Sequence, residues 1–559
     1  MTAPPLSPSL AASHRQALVE ERFDVLVIGG GVVGAGIALD AATRGLSVCL
    51  LEAEDFASGS SSRSSKLIHG GLRYVQALQL GLVREALRER SILRENAPHL
   101  IRPARFLYPL RHHWERPYVG AGVALYDTLA HLSSSSGHFP AGRHLGRHAT
   151  SGLAPALRRD RLTGGVVYHD AQVDDARYVV ALVRTAVAHG AVVSSRAPVV
   201  GLVEDGGRVV GATTTFAETG DTATVHAQAT VVAAGPQTES LLRLSGGRAP
   251  TLRPSKGVHL VVPRESIDAA CALIAPTKDS VIFVLPWGSH WLIGTTDTPW
   301  KLDPSRPVAN RHDVEYLLRE VNTLLETPIG PEDIESVYVG LRPLIAAGAT
   351  ATTKLSREHA ITEAKPGLTA VTGGKYTTYR LMAQQALDAA LGPGAPRSVT
   401  DHVPIVGADG LAEATREVLA TVRGTALVQE VADRLLERYG SLAPEVLGAG
   451  GDDGLQQVAG TGGYLAAELC YGASHEGARH LDDLLVRRTR TAMETRDRGL
   501  AAAAEVAALV APILHWDRDA VAKEVTSYRA LVASDLRAEQ AADDPSALAA
   551  AASPDQPGA

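Results

Sequence analysis

Cysteine is scarce: Cys49, Cys271 and Cys470 are the three in 559 residues. They form no C-x-x-C pair and no metal-ligand spacing, which excludes a disulfide scaffold and fits a reducing compartment. Histidines 138, 144 and 148 sit in Ser- and Gly-rich sequence that reads as loop, so no metal site is expected. Long apolar runs are missing too; none reaches the ~18 residues that span a bilayer. The opening MTAPPLSPSLAASHRQ has neither a basic n-region nor an apolar h-region, so it reads as no secretory signal. Residues 1–21 are expected to form a disordered lead and residues 541–559 a disordered tail. Charge of one sign is also lacking. A net charge of −7 and a pI near 6.3 give no general pull toward nucleic acid, and no such partner is expected. No internal repeat is visible, and at ~150 residues per domain the length suggests two to four domains.

What is present is concentrated in FDVLVIGGGVVGAGIALDAATRGLSVCLLE, from Phe23 to Glu52. A short apolar strand, a glycine turn, a helix and a second apolar strand follow one another. Gly29, Gly31 and Gly34 give G-x-G-x-x-G. The first permits the tight turn, the second lets backbone approach a pyrophosphate, and the third lets helix and strand pack closely. The helix starting near Val32 aims free N–H groups at that pyrophosphate. Glu52, at the end of the second strand, can accept from both ribose hydroxyls and would repel a 2′-phosphate, which favours FAD or NAD over NADP.

The next stretch, ASGSSSRSSKLIHGG, is a Ser/Gly loop whose Ser61, Ser62, Ser65 and Lys66 are candidates to line a cofactor, with His69, Arg73 and Tyr74 reaching the same space. A helix is expected over Leu82–Asn96. Residues 100–116 mix arginine, leucine and aromatics, and 117–132 form a short apolar helix that suits either a bilayer interface or a domain core. Strands or helices follow at 166–169, 174–189, 191–194 and 199–212, and 223–229 continues a meander. A further strand, TVVAAG, ends at Gly235, where small residues let backbone touch a cofactor. Antiparallel strands at 259–263, 281–287 and 291–296 lead into GTTD, and VYVGLRPL carries Arg342. Arg357 precedes a short strand. The strand at 368–371 runs into GGKYTT, with Gly374, Lys375 and Thr377 at a helix N-terminus able to hold an anionic group. Beyond about residue 402 the pattern is helical.

The combination of SSKLIHGGLRY with GGKYTTYR, together with VDDARYV, GTTD, GLRPL and, later, LVRRTR, closely resembles the FAD-dependent glycerol-3-phosphate dehydrogenases of the respiratory chain. These belong to the flavoprotein superfamily that includes D-amino-acid oxidase. The resemblance implies an α/β fold: a Rossmann-like FAD-binding domain (22–99, 165–252 and 340–395), an antiparallel-sheet substrate or cap domain (100–164 and 253–339) and a C-terminal all-helical domain (400–540). It implies non-covalent FAD, oxidation of sn-glycerol 3-phosphate to dihydroxyacetone phosphate, and electrons passed to a membrane quinone. A cytoplasmic homodimer, peripheral on the inner face of the membrane, is expected, with the basic and aromatic residues of 100–132 holding it to an anionic surface. Arg342 and Arg357 resemble the phosphate-side arginines, with Arg73 and Tyr74 closing the pocket and Lys375 stabilising charge on the reduced ring. His69 is a candidate base for the hydroxyl proton, or a flavin-packing residue, with Arg342 polarising the alkoxide instead. One departure is Gln237, where the family often has an aromatic. The competing readings are an oxidase that uses oxygen and a non-catalytic FAD-binding protein.

Overall fold

The structure is a computed structural model that describes residues 4–76, 78–133, 139–244, 246, 251–277, 281–346, 359–423 and 429–552. Two sheets organise it. In the first, Arg22–Ile28 lies parallel between Thr222–Val232 and Val48–Leu51. The order continues outward through Leu368–Gly373 and His359–Lys365 on one side and through Val192–Ser194 on the other. Strands buried on both faces explain the unbroken apolar runs. Val25, Val27 and Leu50 face the helices Val32–Thr43, Asp175–Ala188 and Tyr379–Leu391. Leu26, Ile28, Cys49 and Leu51 face the meander around Val209, Ala212 and Phe216, which leaves Cys49 buried and inert.

The segments 223–229 and 230–235 are one strand. The first half of Thr222–Val232 pairs antiparallel with Arg208–Thr215, and the strand from His226 onward pairs parallel with Arg22–Ile28. A polar first half and an apolar second half hid that continuity.

The second sheet is mostly antiparallel. Its order is Thr298–Pro299, Ser255–Pro263, His290–Gly294, Val281–Trp287, Ala272–Pro276, Ile101–Leu110, Gly164–Val173 and Leu67–Ile68, with Ser336–Arg342 also on Ser255–Pro263. Leu67–Ile68 and Gly164–Val173 thus leave the cofactor region and pair here, so the strands do not divide at 99, 164 and 339. Helix Glu115–Ser133 covers one face and Arg311–Asn322 the other. The C-terminal part is helical, ending in Arg518–Gln540 and Asp544–Ala552.

Both expected disordered ends are corrected in part. Pro8–Glu20 is a helix capped by Ser7, with Leu18 fully buried and His14 bonded to Val193 O at 3.1 Å. Pro at N1 after a Ser cap is a helix start that the loose composition masked. In the tail, Asp544–Ala552 buries Ala547 and Ala551, and Asp544 pairs with Lys256 and Asn310 of the second sheet region. The loop expected over 133–148 contains a strand, Arg143–Gly146, paired with Gly164–Val173.

Candidate active site

The glycine turn is built for a group that needs bare backbone. Gly29 sits at φ +112°, and a Cβ there would lie 2.6 Å from Ala233 O. A Cβ on Gly34 would come within 1.8 Å of Gly29 O, so only glycine lets the helix close onto the strand. Gly31 has an ordinary extended backbone, and a Cβ would meet Ser61 Oγ at 3.0 Å. Ser61 Oγ accepts from Val32 N–H at 2.9 Å, which ties the Ser/Gly loop to the helix N-terminus. Glu52 accepts from Gly30 N–H at 2.5 Å and from Glu54 N–H at 2.9 Å. Burial pushes its carboxyl up, and those two N–H bonds pull it back. A carboxylate has about four lone-pair sites, so acceptor capacity is left for a ribose. Gly235, in left-handed conformation just beyond the neighbouring strand, has open space at its Cβ. This set fits an adenine dinucleotide.

The loop from 60 to 69 reaches both sheets. Ser60 Oγ donates to Leu341 O at 2.5 Å, beside Arg342. Ser65 Oγ lies 2.9 Å from His259 Nε2. The His69 and Thr377 segments are stitched by His69 N–H to Thr377 Oγ1 at 3.1 Å and by Thr377 Oγ1 to His69 O at 3.3 Å. Tyr74 lies under the Lys375 ammonium, 3.6 Å from ring centroid to Nζ. That is cation–π distance. Gly71, Gly373 and Gly374 are all left-handed; a Cβ on Gly71 would strike the Tyr74 ring at 2.3 Å.

Lys66 and Ser62 stand apart from that surface. Both are buried; the Lys66 ammonium donates to Asp175 Oδ1 at 2.7 Å and to Ser62 O at 2.9 Å. Burial, then the neighbouring Arg490, lowers its pKa to about 8. Asp175 is a hub. It also accepts from Ser64 N–H, Ser64 Oγ and Arg490, and its backbone O accepts from Tyr376 OH at 2.6 Å. Asp174 caps the helix Asp175–Ala188 and receives Arg438 and Arg490; the two arginines outweigh burial and hold it well below the usual carboxylate range. VDDARYV and LVRRTR were legible as shared motifs, but not as partners.

Arg342 is half-buried. It donates to Thr296 O at 3.1 Å and to Thr295 Oγ1 at 3.0 Å, and lies 3.8 Å from Asp297. His259 was missed: a lone polar residue in SKGVHLVVP looks like a core histidine. Its ring stacks on Tyr338 at 4.7 Å. Burial, then Arg342 and Lys66, pushes its pKa well below 6.5, so it is neutral, and Nδ1 is buried with no hydrogen-bond partner among the described residues. The Arg73 side chain and all of Arg357 fall outside the described residues. No His/Cys/Asp/Glu group able to hold a metal occurs among the described residues.

A dinucleotide cradle on a parallel sheet, joined to a second sheet that brings a guanidinium and a neutral imidazole to the same loop, defines a flavoprotein oxidoreductase. The family described as "FAD dependent oxidoreductase" matches residues 24–380, and "C-terminal domain of alpha-glycerophosphate oxidase" matches 398–521. A glycerol-3-phosphate dehydrogenase of Mycobacterium leprae (strain TN) is 46% identical over 550 residues, 97% of this chain and 93% of that protein. A mitochondrial glycerol-3-phosphate dehydrogenase of Arabidopsis thaliana is 36% identical over 91% of this chain and 86% of its own length. The crystal structure of glycerol-3-phosphate dehydrogenase from Bacillus halodurans complexed with FAD shares the fold with a TM-score of 0.76 and 29% identity, over 94% of this chain and 98% of that one. The chain belongs to the FAD-dependent glycerol-3-phosphate dehydrogenase family.

Proposed function

We propose that the protein oxidises sn-glycerol 3-phosphate to dihydroxyacetone phosphate. The observation that carries the reading is Arg342 beside the buried, neutral His259, on adjacent strands and against the loop shared with the nucleotide cradle. When bound, FAD supplies the two-electron acceptor for the hydride leaving C2. The chain's part is to fix the substrate and take the hydroxyl proton. Arg357, with Arg73, holds the phosphate dianion, for which a planar, permanently charged fork is suited. Arg342 polarises the hydroxyl end. His259, neutral and with one ring nitrogen unbonded among the described residues, accepts the proton; this reading moves the base from His69, whose backbone anchors Thr377. Lys375, braced by Tyr74, places positive charge at the helix N-terminus beside Thr377.

Anaerobic bleaching of the flavin tests the reading. Sub-millimolar sn-glycerol 3-phosphate is expected to bleach it and equimolar glycerol to leave it yellow. Equal bleaching by both removes the phosphate pocket. Arg357→Lys is expected to raise KM about tenfold, the loss of one charge-assisted bond of roughly 1.5–3 kcal/mol, with FAD content unchanged. His259→Asn should flatten the acidic limb of the kcat/KM pH profile, whereas His69→Asn should leave it.

Electrons then pass to a membrane quinone; quinone reduced per substrate, with little hydrogen peroxide, is the expected stoichiometry. No helix among the described residues is long and apolar enough to cross a membrane. The attachment surface narrows from 100–132 to the outer face of Glu115–Ser133 and the turn before it. Ile101–Leu110 is an inner strand, and Arg105 and Arg111 reach Ala270 O and Thr323. The helix buries Val119, Val123 and Tyr126, while Tyr118 and Leu132 on the other face are 56% and 72% exposed and Trp114 just ahead is 65% exposed. Positions 118, 125 and 132 repeat every seven residues and form one apolar stripe. Replacing Trp114, Tyr118 and Leu132 by serine should abolish pelleting with anionic vesicles; unchanged pelleting would remove this surface.

A further inference from the structure

A narrow cavity lies where the helix Asp175–Ala188 meets the C-terminal helices, lined by His99, Arg177, Arg184, Arg438, Tyr439 and Glu476 among others. It has room for about one water-sized body. Three guanidinium groups share its wall, and two of them are compensated. Arg177 pairs with Glu476 and donates to Arg488 O at 2.6 Å. Arg438 pairs with Asp174 at 2.8 Å and donates to the same carbonyl at 2.6 Å.

Arg184 is different. It is 1% exposed, and its one hydrogen bond runs from Nη1 to Tyr471 OH at 2.7 Å. Its Nε and Nη2 are buried without an acceptor, and it forms no ion pair among the described residues. A guanidinium cannot shed its proton. A full positive charge is therefore buried here beside a phenol, an arrangement proteins avoid unless a counter-charge is supplied.

Arg177 Nε is also without a hydrogen-bond partner among the described residues, which makes three buried donor nitrogens with Arg184 Nε and Nη2; Arg438 Nε lies 4.0 Å from Glu468 Oε1. On the acceptor side stand Glu476 Oε2 and His99 Nδ1. A water could bridge Arg184 to Glu476, but it accepts only two hydrogen bonds and brings no charge. A halide accepts from all three donors and neutralises Arg184. The space is too small for phosphate or sulfate. Glu476 Oε2 opposes an anion, but Glu476 is already neutralised by Arg177. We propose that this cavity binds one halide ion, chloride by abundance, as the counter-ion of Arg184, and that it fastens the helical domain to the parallel-sheet domain.

The test uses the full-length holoenzyme prepared in sodium gluconate. Titrating in sodium chloride at constant ionic strength should raise the unfolding midpoint saturably, by about 5 °C at about 100 mM, as expected for a ligand of the folded state. Arg184→Met, which keeps the length and removes the charge, should abolish that rise. Crystals of the wild type grown in sodium bromide should show an anomalous peak in the cavity, a readout that stands even if Arg184→Met does not fold. Equal midpoints in chloride and gluconate overturn the proposal. So does a chloride effect that survives in Arg184→Met, or one with no bromide peak at Arg184. A peak with no stabilisation means binding at crystal concentration only, and overturns it as well.

Discussion

The nucleotide cradle and the seam beneath it are built in opposite ways. The cradle works by missing side chains: Gly29, Gly31 and Gly34 leave backbone bare within six residues. The seam works by side chains brought from far apart. Arg488 grips Asp55 through two bonds of 2.7 Å across 433 positions, and Arg490 reaches Asp174 and Asp175. The cradle therefore tolerates changes of charge around it but no change of volume. In the seam the vulnerability is reversed, because each removed charge leaves its partner buried and unpaired. The two meet at the loop from 60 to 69: Ser61 caps the cradle helix, and Lys66 is held by Asp175.

The sharpest way to break this comparison is a volume change in the cradle. Gly31 has φ −76°, which any residue can adopt, and its nearest neighbour to a new Cβ is a serine hydroxyl. Gly31→Val is expected to fold and to lose FAD, retaining less than about a tenth of the wild-type content, because the branched side chain fills the pyrophosphate space. Gly34→Val is expected not to fold at all, since its Cβ would lie 1.8 Å from Gly29 O. Flavin absorbance per protein, alongside circular dichroism, separates the two. A folded, fully yellow Gly31→Val would sink the assignment of the cradle.

Next in size is a charge deleted from the seam. Arg490 is 2% exposed and bonded to two buried carboxylates. Arg490→Ala is expected to lower stability by about 3–5 kcal/mol, the cost of breaking a buried pair from one side. Arg490→Lys, which keeps a positive charge opposite Asp174 and Asp175, should lose less than Arg490→Ala. Denaturant midpoints with and without excess FAD check both; an Arg490→Ala midpoint equal to wild type would mean that the seam is not structural.

Legibility in the sequence followed this same divide. Gly29, Gly31, Gly34 and Glu52 could be placed because their roles depend on neighbours within thirty residues, and the turn at Gly373–Thr377 could be found for the same reason. Arg342 could be placed on a strand from VYVGLRPL. Asp175, Lys66 and Arg490 could not be joined, because ion pairs across 109 and 315 positions have no local spacing. Lys66 was consequently taken for a cofactor ligand, when its ammonium is bound to Asp175 and Ser62 O. His259 was hidden by apolar neighbours. The Ser7–Pro8 helix start was in plain view, but the composition around it outweighed the signal.

A smaller effect sharpens the comparison where cradle and seam touch. Ser61→Ala removes the acceptor of Val32 N–H. A lost helix cap costs ~1 kcal/mol. The change should appear as a few-fold weaker FAD affinity in equilibrium dialysis, with the protein folded. Unchanged affinity would mean that the loop does not support the cradle.

The smallest effect lies at the outer rim of the seam, where charges are partly wet. His480 faces Glu524 at 2.8 Å and Glu218 at 3.1 Å, joining the helix Arg518–Gln540 to the loop after Arg208–Thr215. Burial alone would lower its pKa, but the two carboxylates outweigh burial and raise it to about 10. A folded-state pKa above the ordinary 6.5 adds stability that is fully present below pH 6.5 and is lost as pH rises through about 10. His480 is 31% exposed and Glu218 38%, so solvent screens the pair and the gain is held to ~1 kcal/mol or less. His480→Gln should thus unfold at lower denaturant than wild type at pH 6, and the gap should close by pH 10.5 and shrink in 1 M salt. A gap that persists unchanged at pH 10.5 would assign His480 to packing rather than charge, and would make the rim of the seam resemble the cradle, where shape decides.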